Sequence, residues 1–206
     1  MQLALFWSEI LHYHAARIRA LCHEAEGLGH TVHPFALRGA APDLPVPGYH
    51  GLLKGQITVL AVDGVQAGPY TRNSQTQVVE FLDQRQPDVV GIVGYSSPAS
   101  LAALSWCRRR QRGAILMSES KAEDYVRSAS KEQLKRLIVR CFDSALVGGS
   151  PQVAYAVDLG MPVDRVFIGY DAVDNGFWSG RAALVRSDVG RWQAELSLPP
   201  NFFLTA

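Results

Sequence analysis

Short, wholly apolar runs alternate with amphipathic stretches along most of this chain. Residues 3–7 (LALFW) are apolar throughout and predict a strand. Leu11, Ala15, Ile18, Cys22 and Ala25 then fall at helical spacing and predict a helix over 12–27. Further strands are expected at 31–37, 57–62, 88–93, 114–117, 145–147 and 165–168. Between them helices are expected at 73–85, where Val78, Phe81 and Leu82 share a face, and at 97–110, 130–141 and 151–159. A strand that is apolar on both faces must be covered on both faces, which is the condition of a parallel sheet between helical layers. The predicted class is therefore α/β, a Rossmann-like, doubly wound, mostly parallel sheet.

Local signals support these boundaries. Ser97-Pro98 and Ser150-Pro151 each place a capping serine before a first-turn proline, and Ser130 with Gln133 fits a capping box. The segment 38–56, rich in Pro and Gly, reads as a long loop of the kind that often serves function.

Composition narrows the classes of function. The chain has 206 residues, 48% of them apolar, and a net charge of +1, which gives no electrostatic case for nucleic acid. The one dense basic cluster, Arg108 to Arg112, reads as the solvated end of a helix. Cys22, Cys107 and Cys141 are far apart and odd in number, so neither a disulfide framework nor a thiolate zinc site is indicated; each is expected as a small core residue. The first residues lack the basic start of a signal peptide, and no apolar run reaches membrane-spanning length. A cytoplasmic setting is the resulting expectation.

Several motif fragments fail on inspection. VGYSSP (residues 93–98) places Ser96 at a strand-to-helix turn, where a hydrolase carries its nucleophile. Pro98 stands where G-x-S-x-G requires glycine, and all six histidines precede residue 51, so none follows to act as base. Ser118-Glu119-Ser120-Lys121 matches S-x-x-K without its companion motifs. His12 and His14 form H-x-H, which on a helix points to different faces and does not make a metal site. There is no G-x-G-x-x-G after a strand and no G-K-[ST], so NAD and ATP chemistry are unsupported and no cofactor is expected.

A doubly wound sheet binds ligands beyond the carboxyl ends of its strands, where the strand order reverses. In the common order that point lies between the first and fourth strands. Trp7, Ser8, Glu9, Tyr13 and His14 then face Tyr95 and Ser96, with Glu119 and Ser120 at the edge. Aromatic faces with hydroxyl, carboxylate and imidazole groups suit a polyhydroxylated ligand such as a sugar.

The stretch from 116 to 177 resembles the N-terminal domain of family 4 glycosyltransferases of GT-B fold. The resemblance rests on Met117-Ser118-Glu119-Ser120, Asp124, Arg127, Glu132, Lys135, residues 145–149 (ALVGG), Tyr155 and Leu159-Gly160-Met161-Pro162. Its most specific piece is residues 167–175, FIGYDAVDN. Upstream, Tyr13-His14-Ala15-Ala16-Arg17 and Pro87-Asp88-Val89-Val90 are also similar to that family. The resemblance implies an acceptor-binding domain over 1–180, and a linker with the opening of a second, nucleotide-sugar-binding domain over 181–206. It implies transfer of a sugar from a nucleotide-sugar substrate to a glycan, lipid-linked or small-molecule acceptor, with membrane contact only where the acceptor is lipid-linked. The binding residues expected on this basis are Ser8, Glu9, Tyr13, His14, Arg17, Tyr95, Ser96, Glu119 and Ser120, with catalytic residues unassigned and no metal. Glu119 could equally bond backbone amides, and Arg17 could equally be a helix-surface residue. Asp171 and Asp174 are read as turn and hinge residues. One half of a sugar-nucleotide 2-epimerase, or a free-standing sugar-binding module, stays open beside the transferase.

Overall fold

The computed structural model describes residues 1–10, 12–39, 57–60 and 72–201, apart from the side chains of His12 and Arg72. Seven strands form one sheet: β1 (Gln2–Glu9), β2 (Thr31–Arg38), β3 (Thr58–Val59), β4 (Val89–Val93), β5 (Gly113–Ser118), β6 (Ser144–Val147) and β7 (Val166–Ile168). The order is β3-β2-β1-β4-β5-β6-β7, and every pairing is parallel. The direction of travel reverses between β1 and β4, as the doubly wound reading requires. The helices are α1 (His12–Gly27), α2 (Arg72–Arg85), α3 (Pro98–Arg110), α4 (Ala129–Val139), α5 (Ser150–Asp158), α6 (Asn175–Ser187) and α7 (Val189–Glu195).

Alternation along the strands builds two cores. From β1, Ala4 and Phe6 join Val78 and Leu82 of α2, Ala103 and Trp106 of α3, and Tyr155 of α5 on one face. Leu5 and Trp7 point the other way, with Ile18 of α1, Met117 and Tyr170. Both faces of β1 are thus buried, and its apolar run follows from that. At the amino end of the sheet Asp88 acts as a clasp. Its carboxylate accepts from Gln2 N at 2.7 Å and from Arg112 at 3.1 Å, while its carbonyl accepts from Gly113 N at 3.0 Å.

The basic run at the end of α3 is paired: Arg108 with Asp143, Arg110 with Asp83 and Arg112 with Asp88. Asp83 also accepts from Trp106 Nε1 at 2.9 Å, which fixes α3 against α2.

The caps divide. Ser97 is the N-cap of α3, accepting from Ser100 N at 3.0 Å, with proline next. Ser150 is not a cap. The N-cap of α5 is Gly149, and Ser150 already lies in the helix. The box expected at Ser130 is absent too, because α4 starts a residue earlier with Ser128 as N-cap. Of the cysteines only Cys107 is buried; Cys22 is half-buried and Cys141 exposed. Cys141 lies beyond α4, where the apolar stripe has already turned to solvent at Leu134 and Leu137.

The chain divides into two units, Met1–Ala172 and Val173–Ala206. The first holds the whole sheet. The second holds α6 and α7, so the segment expected as linker from 181 is largely helical. The strand expected at 57–62 is described only to 60; of the long loop expected at 38–56, Arg38 belongs to β2, and residues 40–56, like the final residues 202–206, lie outside the described residues. No helix among the described residues is long and apolar enough to cross a membrane.

Candidate functional site

β1, β4 and β5 end side by side, and their carboxyl ends open into a cleft of about 600 Å³. β1 supplies Trp7, Ser8 and Glu9; the start of α1 supplies Tyr13 and His14; β4 ends in Val93 and Gly94. The far wall is Met117, Ser118, Glu119 and Ser120, with Asp124, Tyr125 and Tyr170. Six expected residues therefore converge: Ser8, Glu9, Tyr13, His14, Glu119 and Ser120. Among the described residues no group of three His, Cys, Asp or Glu is placed to hold a metal ion.

The aromatic wall is rigid. Trp7 is 4% exposed and its Nε1 donates to Tyr170 Oη at 3.2 Å, joining the first strand to the turn after the last. The His14 ring lies 5.4 Å from Trp7 and 4.4 Å from Tyr13. Burial, opposed by the Trp7 hydrogen bond, pushes the Tyr170 hydroxyl up to about 12, so it is a neutral donor in the cleft. On the far wall Ser120 N donates to Ser118 Oγ at 3.2 Å, a local turn that places Glu119 at the cleft. Glu9 is held by Arg38 at 2.9 Å.

Tyr95 and Ser96 do not line the cleft. Gly94 sits at φ 60°, in the left-handed region, with its N–H on Met117 O at 2.8 Å. The chain turns there, so Gly94 itself faces the cleft. Tyr95, half-buried, packs against the core on the α5 side, where burial and the neighbouring Tyr155 raise its hydroxyl well above the ordinary value. Ser96 is exposed at the bend. Arg17 is displaced as well, neither a cleft residue nor a surface one. Its side chain is 15% exposed and lies 5.0 Å from the Tyr13 ring and 5.2 Å from the Tyr170 ring. Its Nε donates to Ala172 O at 2.8 Å and its Nη2 lies 3.7 Å from Asp171. Arg17 thus ties α1 to the turn after β7.

Ser118, Asp124, Tyr125 and Tyr170 line the cleft and were not among the residues expected there. Tyr170 stands in the 167–175 piece singled out above, but nothing in the spacing shows that this turn folds back beside β1. Desolvation and then the neighbouring Asp171 raise the Glu119 carboxyl above the usual range, with Arg17 opposing.

The geometry defines a Rossmann-like α/β fold with a cleft at its switch point, and it is similar in fold to solved structures of a glycosyltransferase and of UDP-N-acetylglucosamine 2-epimerases. A HepE protein of Anabaena, solved in complex with UDP-glucose, matches with a TM-score of 0.61 at 10% identity over 98% of this chain and 51% of that one. A glycosyltransferase of Rickettsia africae matches at 0.58 and 12% identity, covering 97% and 50%. A UDP-N-acetylglucosamine 2-epimerase of Rickettsia bellii matches at 0.51 and 14% identity, covering 97% and 51%. The chain thus spans about half the length of these proteins. No protein-family model matches the sequence, and no curated protein matches it.

Proposed function

We propose that this chain is the acceptor-side half of a glycosyltransferase of family 4 that uses a nucleotide sugar. The observation that carries the reading is the cleft itself. Flat aromatic side chains (Trp7, Tyr13, Tyr170) line it together with carboxyl and hydroxyl groups (Glu119, Ser8, Ser118, Ser120) at the switch point of a parallel sheet. A sugar has an apolar ring face and a polar rim, and such walls fit both. The likeness in fold to a HepE protein solved with UDP-glucose supports a nucleotide sugar as the substrate class. Ser8, Glu9, Tyr13, His14, Glu119 and Ser120 are the proposed binding residues. The second half of such an enzyme would hold the nucleotide.

A second reading, a sugar-nucleotide 2-epimerase, has its own support. The fold is also similar to 2-epimerases, and inverting a sugar carbon needs a group that moves a proton. Glu119, with its raised carboxyl in the cleft, is such a group.

Under either reading this chain alone does not turn over substrate. Bringing reacting groups together is worth about 7–11 kcal/mol in well-oriented cases, and half a site cannot do it. The test supplies the chain, alone and joined to a nucleotide-binding second half, with UDP-glucose plus candidate acceptors and with UDP-N-acetylglucosamine, followed by NMR. Transfer by the joined form supports the transferase. Inversion at C2 of the sugar supports the epimerase. Turnover by the chain alone refutes the division of labour.

A further inference from the structure

We propose that Tyr125 is a further binding residue of the cleft, the aromatic face against which a sugar ring stacks, and that Arg127 is the positioning residue that holds it there. This rests on the reading of the cleft as a nucleotide-sugar site. The other aromatic groups of the cleft have little ring surface left to offer. Trp7 and His14 are 4% exposed and Tyr170 5%, each packed against protein on most sides, and Tyr13 is half-buried. Tyr125 lines the same cleft and is 78% exposed. The apolar face of a sugar gains most from a flat side chain that is still open, and Tyr125 is the open one.

Little in the local backbone would fix that ring. The one element between β5 and α4 is a single 3-10 turn, Ala122–Asp124, and one such turn has few bonds of its own. It closes through Lys121 N on the Asp124 carboxylate at 2.9 Å and Asp124 N on Lys121 O at 3.4 Å. Arg127 supplies the rest. Its Nη2 donates to Lys121 O and its Nε to Ala122 O at 2.9 Å, so one guanidinium grips two successive carbonyls. The same group lies over the Tyr125 ring, 5.9 Å from its centre. Two helices fix the guanidinium in turn. It lies 4.6 Å from the centre of the Tyr155 ring of α5 and 4.0 Å from the Glu132 carboxylate of α4. Glu132 is itself bonded by Tyr155 Oη at 2.8 Å and Lys135 Nζ at 2.7 Å, and Tyr155 is buried in the core. A continuous set of contacts thus runs from the core through Arg127 to the cleft wall. Lysine could not replace Arg127, because a point donor cannot fork onto two carbonyls while lying flat over two rings.

The experiment has a ligand-free arm and a ligand arm. Ring-carbon NMR of the tyrosines and amide hydrogen exchange follow the wall of the whole chain; the Tyr125 signal is the one missing from Tyr125→Phe. Arg127→Lys and Arg127→Gln are both expected to shift that signal and to speed exchange at the Lys121 and Asp124 amides. Glu132→Gln, which loosens the anchor, should do the same to a smaller extent. Arg108→Lys is the control. Its guanidinium is bonded to Asp143 and Arg112 O at the carboxyl end of α3, so it should lower stability and leave Tyr125 unmoved. An unmoved Tyr125 signal and unmoved exchange in folded Arg127→Lys overturn the positioning role. The ligand arm titrates the chain with UDP-glucose. Tyr125→Ala is expected to weaken binding about tenfold, Tyr125→Phe to keep it and Arg127→Lys to weaken it by a similar factor. In the Tyr125→Ala background Arg127→Lys should add nothing, since the two act as one; additive losses overturn the proposal. Wild-type binding that Tyr125→Ala leaves intact overturns the stacking face and spares the nucleotide-sugar reading. No binding by wild type, with Tyr125 moved by Arg127→Lys, refutes that reading and leaves the hold of Arg127 standing.

Discussion

Single residues mark where the chain can least be altered. Gly91, in the middle of β4, has no room for a side chain: a Cβ would lie 2.7 Å from Leu5 Cδ2 and 3.3 Å from Met117 Sδ. Gly91→Ala should destabilise the fold by about 1–3 kcal/mol, the usual cost of overpacking, seen as a lower denaturant midpoint at unchanged slope. Glu132 is the opposite case, a carboxylate the fold favours. Burial would raise it, but hydrogen bonds from Lys135 at 2.7 Å and Tyr155 at 2.8 Å, together with the charges of Lys135 and Arg127, hold it below the usual range. A lowered carboxyl contributes stability above its unfolded value and loses it as pH falls through the folded one. Glu132→Gln should therefore cost ~1 kcal/mol or less near neutral pH, with melting curves converging on wild type in acid. At this scale the sequence was only partly readable. Tyr95 looked like a cleft residue because it follows an apolar strand, yet after the left-handed turn at Gly94 it packs, half-buried, against the core instead. Asp171 was read as a turn residue and does lie in the turn after β7, but its ion pair with Arg17 of α1 could not be read from positions so far apart in the chain.

Elements were read more securely, because periodicity is a property of many residues at once. The run 3–7 lengthens to Gln2–Glu9 and the run 88–93 shortens by one residue to Val89–Val93, and the reversal between them is the one expected. Ends depend on one or two atoms and were less certain. Ser97 and Ser150 both precede proline, yet only Ser97 turns its side chain onto the helix start. The pair makes a controlled test. Ser97→Ala should cost about 1 kcal/mol, with some excess from the buried Ser100 hydroxyl losing a partner, whereas Ser150→Ala should be close to neutral. Equal losses at the two sites, measured by urea unfolding, would contradict the capping assignments.

The whole molecule divides unequally. Among the described residues, every strand and both apolar cores belong to Met1–Ala172, and no residue after Val173 is a buried member of either core. A chain ended after Ala172 should keep its sheet, its far-ultraviolet dichroism changing only by the loss of α6 and α7. Collapse of the shortened chain would show that the two units fold as one. The class of fold was legible because strands buried on both faces leave a plain apolar signature. The cleft was legible through the switch-point rule, but only down to the loops. Which side chains meet there depends on the turn after β7, and no local pattern encodes that.

The bond from Trp7 to Tyr170 gives the molecule an optical property. The chain has four tryptophans. Trp106 is locked between α2 and α3, Trp178 is exposed and Trp192 half-buried, so Trp7 is the one set in the wall of the cleft. An indole that is dry, fixed by its N–H and 5.4 Å from an imidazole emits according to what lies against it. Acrylamide in solution should extinguish the light of the accessible rings and leave that of the shielded ones. A sugar settling on the cleft wall would then alter the colour or intensity of what remains, and substitution of Trp7 by phenylalanine should abolish the response. Occupancy of the cleft could thus be read in unlabelled protein, from a signal the first strand carries itself.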